Sequence, residues 1–189
     1  GIDISALNLD YIELENDEYR IGAYTSLREI ELSGIDDLGI IKTAVKDIVG
    51  VQFRRHITIG GAVMRNSGYA DVLAPLLALD ATLLFFGAGR IKYEEALAYG
   101  LPERDLLLEV RIKRGFEKTG FYNIKRSSNE FAYISVAAVK HAKGWRVAVG
   151  ARPGVPRLCL QAALALDKGD VESACFLAAR ETEFGDDMI

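Results

Sequence analysis

The chain has 189 residues, 50% of them hydrophobic and 26% charged, with a net charge of −4. That is enough apolar side chain to bury a core in one large domain or two small ones. The acidic balance argues against a nucleic-acid surface, and no apolar run reaches the roughly 18 residues a membrane span needs.

From the N-terminus, residues 11–15 alternate apolar and polar, Asn16-Asp17 turns, and Tyr19-Arg20-Ile21 returns as a second strand. Thr25 or Ser26 can cap a helix over 27–32, with Glu29 completing a capping box on Ser26. Apolar spacing at Leu38, Ile41, Val45 and Ile48 predicts a helix over 38–49, stopped by Gly50. Residues 57–59 read as a short strand leading into Gly60-Gly61. A helix over 71–79 follows, with Asp71 at its start, where a carboxylate is favoured. Strands are expected at 82–86 and 91–93 around the turn Gly87-Ala88-Gly89. A helix over 93–99 ends at Gly100, and a strong strand covers 106–112.

Composition shifts near Lys113-Arg114-Gly115, the best linker candidate. Beyond it come a strand over 120–126, a long apolar segment over 131–142 and a strand over 145–150. Residues 133–139 are rich enough in β-branched side chains to pair as a strand. Helices over 157–166 and 171–180 close the chain.

The N-terminus has no basic segment ahead of an apolar one, so no secretory signal is visible and a cytoplasmic protein is expected. Cys159 and Cys175 read as reduced core thiols. With two cysteines and two histidines, neither an iron–sulfur cluster nor a closed zinc site is expected. No Ser or Cys partner for His56 supports a nucleophilic triad. The acidic clusters lack the setting of a raised-pKa carboxylate, so no catalytic residue is assigned.

Alone, Gly60-Gly61 reads as a turn, Asp71 as a helix cap, Leu106 and Leu107 as strand core and Lys125 as a solvated charge. In series they carry more. Thr58-Ile59-Gly60-Gly61, preceded by Val49-Gly50-Val51-Gln52-Phe53-Arg54 and followed by Asp71, resembles the FAD-binding subunit of molybdenum hydroxylases. Relatives of that kind are the flavoprotein subunits of xanthine dehydrogenase and carbon monoxide dehydrogenase. Ile21-Gly22-Ala23-Tyr24-Thr25, Leu106-Leu107-Leu108-Glu109-Val110-Arg111-Ile112 and Phe121-Tyr122-Asn123-Ile124-Lys125-Arg126 extend the resemblance in order along nearly the whole chain. The loop 66–71 is closer to xanthine dehydrogenase-type subunits.

The resemblance implies an α+β fold. Residues 1–112 would form an FAD-binding (PCMH-like) subdomain with a sheet and flanking helices. Residues 113–189 would form a C-terminal flavoprotein domain with a three-stranded antiparallel sheet and helices. The implied cofactor is FAD, contacted by Val49, Thr58, Gly60, Gly61, Ala62, Ala70, Asp71, Leu106, Leu107 and Lys125. The diphosphate would take backbone N–H groups of the Gly-Gly segment, with Thr58 adding a hydroxyl donor. The implied partners are a molybdenum-cofactor large subunit, a [2Fe–2S] small subunit and NAD as electron acceptor. A flavin-free assembly domain of the same fold is the alternative. The family's first phosphate loop, of the type Ala-Gly-Gly-Thr, has no match ahead of Ile2. The family's next helix has none after Ile189, so truncation at both ends is expected.

Overall fold

The computed structural model describes residues 3–46, 48, 50–127 and 130–185. Strands β1 (Ile12–Glu15) and β2 (Glu18–Gly22) form a hairpin. Asn16 and Asp17 turn it at φ 51° and 59°, the left-handed pair that suits the twist of a two-residue loop. Helix α1 (Leu27–Leu32) begins at Ser26, whose side chain accepts from the Glu29 N–H while Glu29 accepts from the Ser26 N–H. The predicted helix over 38–49 is a 3-10 turn at Asp36–Leu38 followed by α2 (Gly39–Lys46).

The next segment departs from the sequence reading. Helix α3 (Val51–His56) occupies a stretch with no predicted element, and Gly50, at φ 78°, is its N-cap rather than only a stop. The expected strand over 57–59 is a single bridge between Ser26 and Thr58. From Ile59 the chain is helical as α4 (Ile59–Arg65), so both glycines sit in a helix rather than a turn. Thr58 caps that helix, and the cap together with tertiary packing overrides the low helix propensity of glycine.

Helix α5 (Leu73–Ala78) starts two residues later than expected, capped at Val72 and not at Asp71. All six of its residues are buried, as expected of a helix that is apolar all round. β3 (Thr82–Phe85), β4 (Gly89–Lys92), α6 (Tyr93–Tyr99) and β5 (Leu107–Lys113) follow close to prediction. The first sheet is antiparallel throughout, in the order β1-β2-β5-β3-β4.

The chain changes sheets at Arg114-Gly115. β6 (Phe116–Ile124), β7 (Ile134–His141) and β8 (Gly144–Ala151) are three long antiparallel strands, extended by the two-residue β9 (Arg157–Leu158). Because Arg157-Leu158 pairs with β8, helix α7 (Leu160–Asp167) starts later than predicted. It packs with α8 (Val171–Glu181). Cys159 is buried, but Cys175 faces outward from α8, contrary to the core reading; both are free thiols.

One apolar core joins the two sheets: Ile21, Leu83 and Val110 share it with Ala137, Val139 and Ala148 through α5. The C-terminal carbonyls of α5 receive Arg146 Nη2 at Leu77 (3.2 Å) and His141 Nε2 at Ala78 (2.9 Å). Among the described residues no helix is long and apolar enough to cross a membrane.

Candidate functional site

A cleft of about 740 Å³ opens between α1, α3 and α4 on one side and the loop 67–72 with Lys125, Glu130 and Phe131 on the other. That volume lies in the range of small-molecule and cofactor sites. Its apolar wall is Leu27, Ile48, Phe53 and Ile57, and its polar groups include Thr58, Arg65, Asp71 and Lys125.

Thr58 is fixed twice. Its backbone bridges to Ser26, and its hydroxyl oxygen accepts from the Gly61 N–H at 3.0 Å. The two glycines then do different jobs. Gly60 is buried, and its N–H donates to Ala23 O at 3.0 Å; a Cβ there would lie 2.6 Å from that oxygen and 2.7 Å from Ala23 Cβ. It is glycine so that α4 can pack against the segment after β2. Gly61 lines the cleft, and a Cβ there would meet only Thr58 Oγ1, at 3.0 Å, before open space. Ala62 also lines the cleft, and its N–H donates to Thr58 O. Arg65, one helical turn beyond Gly61, adds a cation to the same face.

Asp71 forms the floor. It is 5% exposed; Ser135 Oγ donates to its Oδ1 at 3.1 Å and Lys125 Nζ lies 3.4 Å from its Oδ2. Both partners come from the second sheet region, so the floor exists only when the two parts of the chain are packed together. Burial of an ammonium–carboxylate pair is tolerable because each charge has the other and Asp71 also takes the Ser135 hydroxyl. At the rim Tyr69 meets Phe131 edge-on at 5.6 Å, and the Arg152 guanidinium lies over Tyr69 (5.2 Å) and Tyr133 (4.0 Å).

Of the ten site residues expected from sequence, Thr58, Gly61, Ala62, Ala70, Asp71 and Lys125 line this cleft. Gly60 lies behind the wall. Leu107 is 3% exposed in the core, and Leu106 is half-buried, its carbonyl accepting from Phe86 N–H; neither lines the cleft. Val49 lies outside the described residues. The Thr58 hydroxyl oxygen accepts from the Gly61 N–H, which leaves its own O–H to donate. Sequence reasoning missed Phe53, Arg65, Phe131 and Ser135. Arg65 carries a signal of its own, since i and i+4 share a helix face, but the β-branched residues at 57–59 point to a strand and hide it.

The sequence model for the FAD binding domain in molybdopterin dehydrogenase matches residues 1–112. The chain belongs to this family, and its cofactor is FAD. The uncharacterized protein YgfM of Escherichia coli (strain K12) is 30% identical over 154 residues, covering 79% of this chain and 57% of YgfM. The glyceraldehyde dehydrogenase medium chain of Sulfolobus acidocaldarius is 28% identical over 155 residues, covering 76% of this chain and 55% of that one. The chain thus spans little more than half the length of the curated relatives it matches. A carbon monoxide dehydrogenase from Hydrogenophaga pseudoflava lacking the Mo-pyranopterin moiety superimposes with a TM-score of 0.83 at 24% identity, over 95% of this chain and 70% of that one. At that identity the match speaks for the fold alone.

The cleft suits a flavin dinucleotide. The position of Gly61, where a side chain would enter the cleft, leaves room beside the Thr58 hydroxyl and the Arg65 guanidinium, donors suited to a diphosphate. Apolar and aromatic walls suit flat rings.

Proposed function

We propose that this chain is the FAD-carrying electron-transfer module of a molybdenum hydroxylase of the xanthine dehydrogenase type. In this reading it sits in the cytoplasm, between a [2Fe–2S] small subunit that serves a molybdenum-cofactor large subunit and NAD as the acceptor. Residues 1–112 form its FAD domain, and residues 113–189 form the flavoprotein domain that completes the cleft floor. The observation that carries the proposal is the meeting, in one cleft, of the Thr58–Gly61 cap with the Asp71–Lys125 pair.

When bound, FAD supplies reversible electron and hydride exchange, and the protein supplies binding, orientation and electrostatics. Thr58, Gly61 and Arg65 hold the diphosphate. Asp71 accepts hydrogen bonds from the cofactor side, with Ser135 fixing its rotamer. Lys125 places a cation that favours negative charge on the ring, and Asp71 limits its strength. Ala62 and Ala70 contribute close backbone and apolar contact, while Gly60 lets α4 pack closely behind the wall. No side chain acts as a general acid or base.

One observation favours the flavin-free scaffold reading. The N–H groups of Ile59, Gly60, Gly61 and Ala62 all have acceptors within the chain, at Thr25 O, Ala23 O, Thr58 Oγ1 and Thr58 O. Of these only the Gly61 bond is a side-chain cap that a rotation of Thr58 releases. The NAD assignment is tested by adding NADH anaerobically to the FAD-loaded chain. Bleaching of the flavin absorbance is expected; FAD that stays oxidised with NADH, yet bleaches with dithionite, would remove NAD from the reading.

A further inference from the structure

A charge cluster adjoins the apolar wall without itself lining the cleft. Arg54, on α3, is 8% exposed. Its Nε and Nη2 reach the two carboxylate oxygens of Glu31 at 2.9 and 3.4 Å, and its Nη1 donates to the carbonyl oxygen of Ile48. Arg28 Nη1 approaches the same carboxylate at 2.8 Å. Burial alone would raise the Glu31 pKa, but the Arg28 and Arg54 bonds outweigh it and hold the carboxyl below its ordinary value.

The three segments that Arg54 joins are the three that make the wall. Helix α1 carries Glu31 and begins at Leu27; the corner after α2 carries Ile48; α3 carries Phe53 and runs through Ile57 to Thr58. Two further bonds close the same ring of contacts. Leu27 N–H donates to Ile57 O at 2.9 Å, and Ile59 N–H donates to Thr25 O at 2.9 Å. A planar guanidinium can satisfy a bidentate carboxylate and a carbonyl at once, which an ammonium cannot do in one geometry.

We infer that Arg54, locked by Glu31, is a positioning residue that sets the cleft wall and the Thr58 cap for the cofactor without touching it. The inference rests on the FAD reading of the cleft. It also separates shape from charge. Two guanidiniums share one carboxylate, so removing the Glu31 charge makes this corner more positive and, on long-range electrostatics alone, would strengthen binding of an anionic dinucleotide. Loss of the lock predicts the opposite sign.

The test is FAD titration of the full chain by flavin fluorescence and visible circular dichroism, for wild type, Arg54→Met, Arg54→Lys and Glu31→Gln. Far-UV circular dichroism and amide exchange of the two sheets report whether each variant is folded. Arg54→Met and Glu31→Gln are expected to weaken FAD by roughly 10-fold or more, the loss of a charged hydrogen-bond set, and to change the visible dichroism of bound flavin. Arg54→Lys recovers part of the loss. Glu31→Gln, the milder change, decides the matter if Arg54→Met fails to fold. Folded variants that bind FAD within about two-fold of wild type, or a Glu31→Gln that binds more tightly, would overturn the positioning role and leave the FAD reading standing. A wild-type chain that binds no FAD would overturn both.

Discussion

Two buried carboxylates show what separates a structural charge from a working one. Glu109, in β5, is 3% exposed and takes Tyr11 Oη at 2.6 Å, Arg20 Nη2 at 2.6 Å and Arg111 Nε at 2.6 Å. Asp71 is 5% exposed and takes Ser135 Oγ and Lys125 Nζ at 3.1 and 3.4 Å. Glu109 does not line the cleft, and short bonds reach it from Arg20 in β2, Arg111 in β5 and Tyr11 just ahead of β1. Asp71 lines the cleft, and its partners come from the other sheet. Burial and ionic pairing are common to both; access to a cavity is not. A close-packed network adds stability and uniqueness, whereas a charge facing a cavity can trade one partner for a ligand.

That contrast breaks most easily at Glu109. Replacing it with alanine removes the shortest charged hydrogen bonds of Arg20 and Arg111, which keep Glu15 and Glu18, and should cost about 2–3 kcal/mol, lowering the melting temperature by roughly 4–12 °C. FAD affinity measured well below that transition should be unchanged; a parallel loss of affinity would erase the distinction. Asp71→Asn should behave in the reverse way. Its effect on melting should be the smaller of the two, while FAD titration should show affinity reduced by roughly 10-fold or more.

The adjacent glycines sharpen the same point at finer scale. Gly60→Ala forces a Cβ onto Ala23 and should destabilise by about 1–3 kcal/mol by overpacking. Gly61→Ala should melt within about 1 kcal/mol of wild type, because its new methyl faces the cleft. Equal melting temperatures for the two variants would contradict the division of labour.

The smallest expected effect is in acid. Burial raises the Glu109 pKa, but bonds from Arg20, Tyr11 and Arg111 win, so its folded value is lowered. A lowered carboxyl stabilises the fold above its unfolded pKa of about 4.3 and loses that contribution as pH falls through the folded value. Melting temperature should therefore fall more steeply below about pH 4.3 in wild type than in Glu109→Ala. Parallel acid profiles would remove Glu109 from the acid transition.

Elements with local signals were legible in the sequence. Asn16-Asp17, the Ser26–Glu29 box and Gly100 after α6 each mark a boundary through nearby residues. The cleft wall was not. α3 looks polar because the side chain it buries is Arg54, whose partner Glu31 lies on another helix. Residues 57–59 look like a strand because β-branched residues favour one, yet Thr58 spends its side chain as a cap. The floor was least legible, since the meeting of Asp71, Lys125 and Ser135 depends on how two sheets pack. The family resemblance, and not periodicity, brought Asp71 and Lys125 together in advance. It also named Leu106 and Leu107, which lie away from the cleft.

The most direct measurement is FAD titration of the purified chain, read by flavin fluorescence, beside Gly61→Val. A valine there fills the cleft next to Thr58 while leaving Gly60 and the core untouched. Saturable binding to wild type, lost in a Gly61→Val that retains the wild-type far-UV spectrum, is the predicted result. Binding that survives a folded Gly61→Val, or no binding to either protein, would contradict a cofactor seated on the Thr58–Gly61 cap.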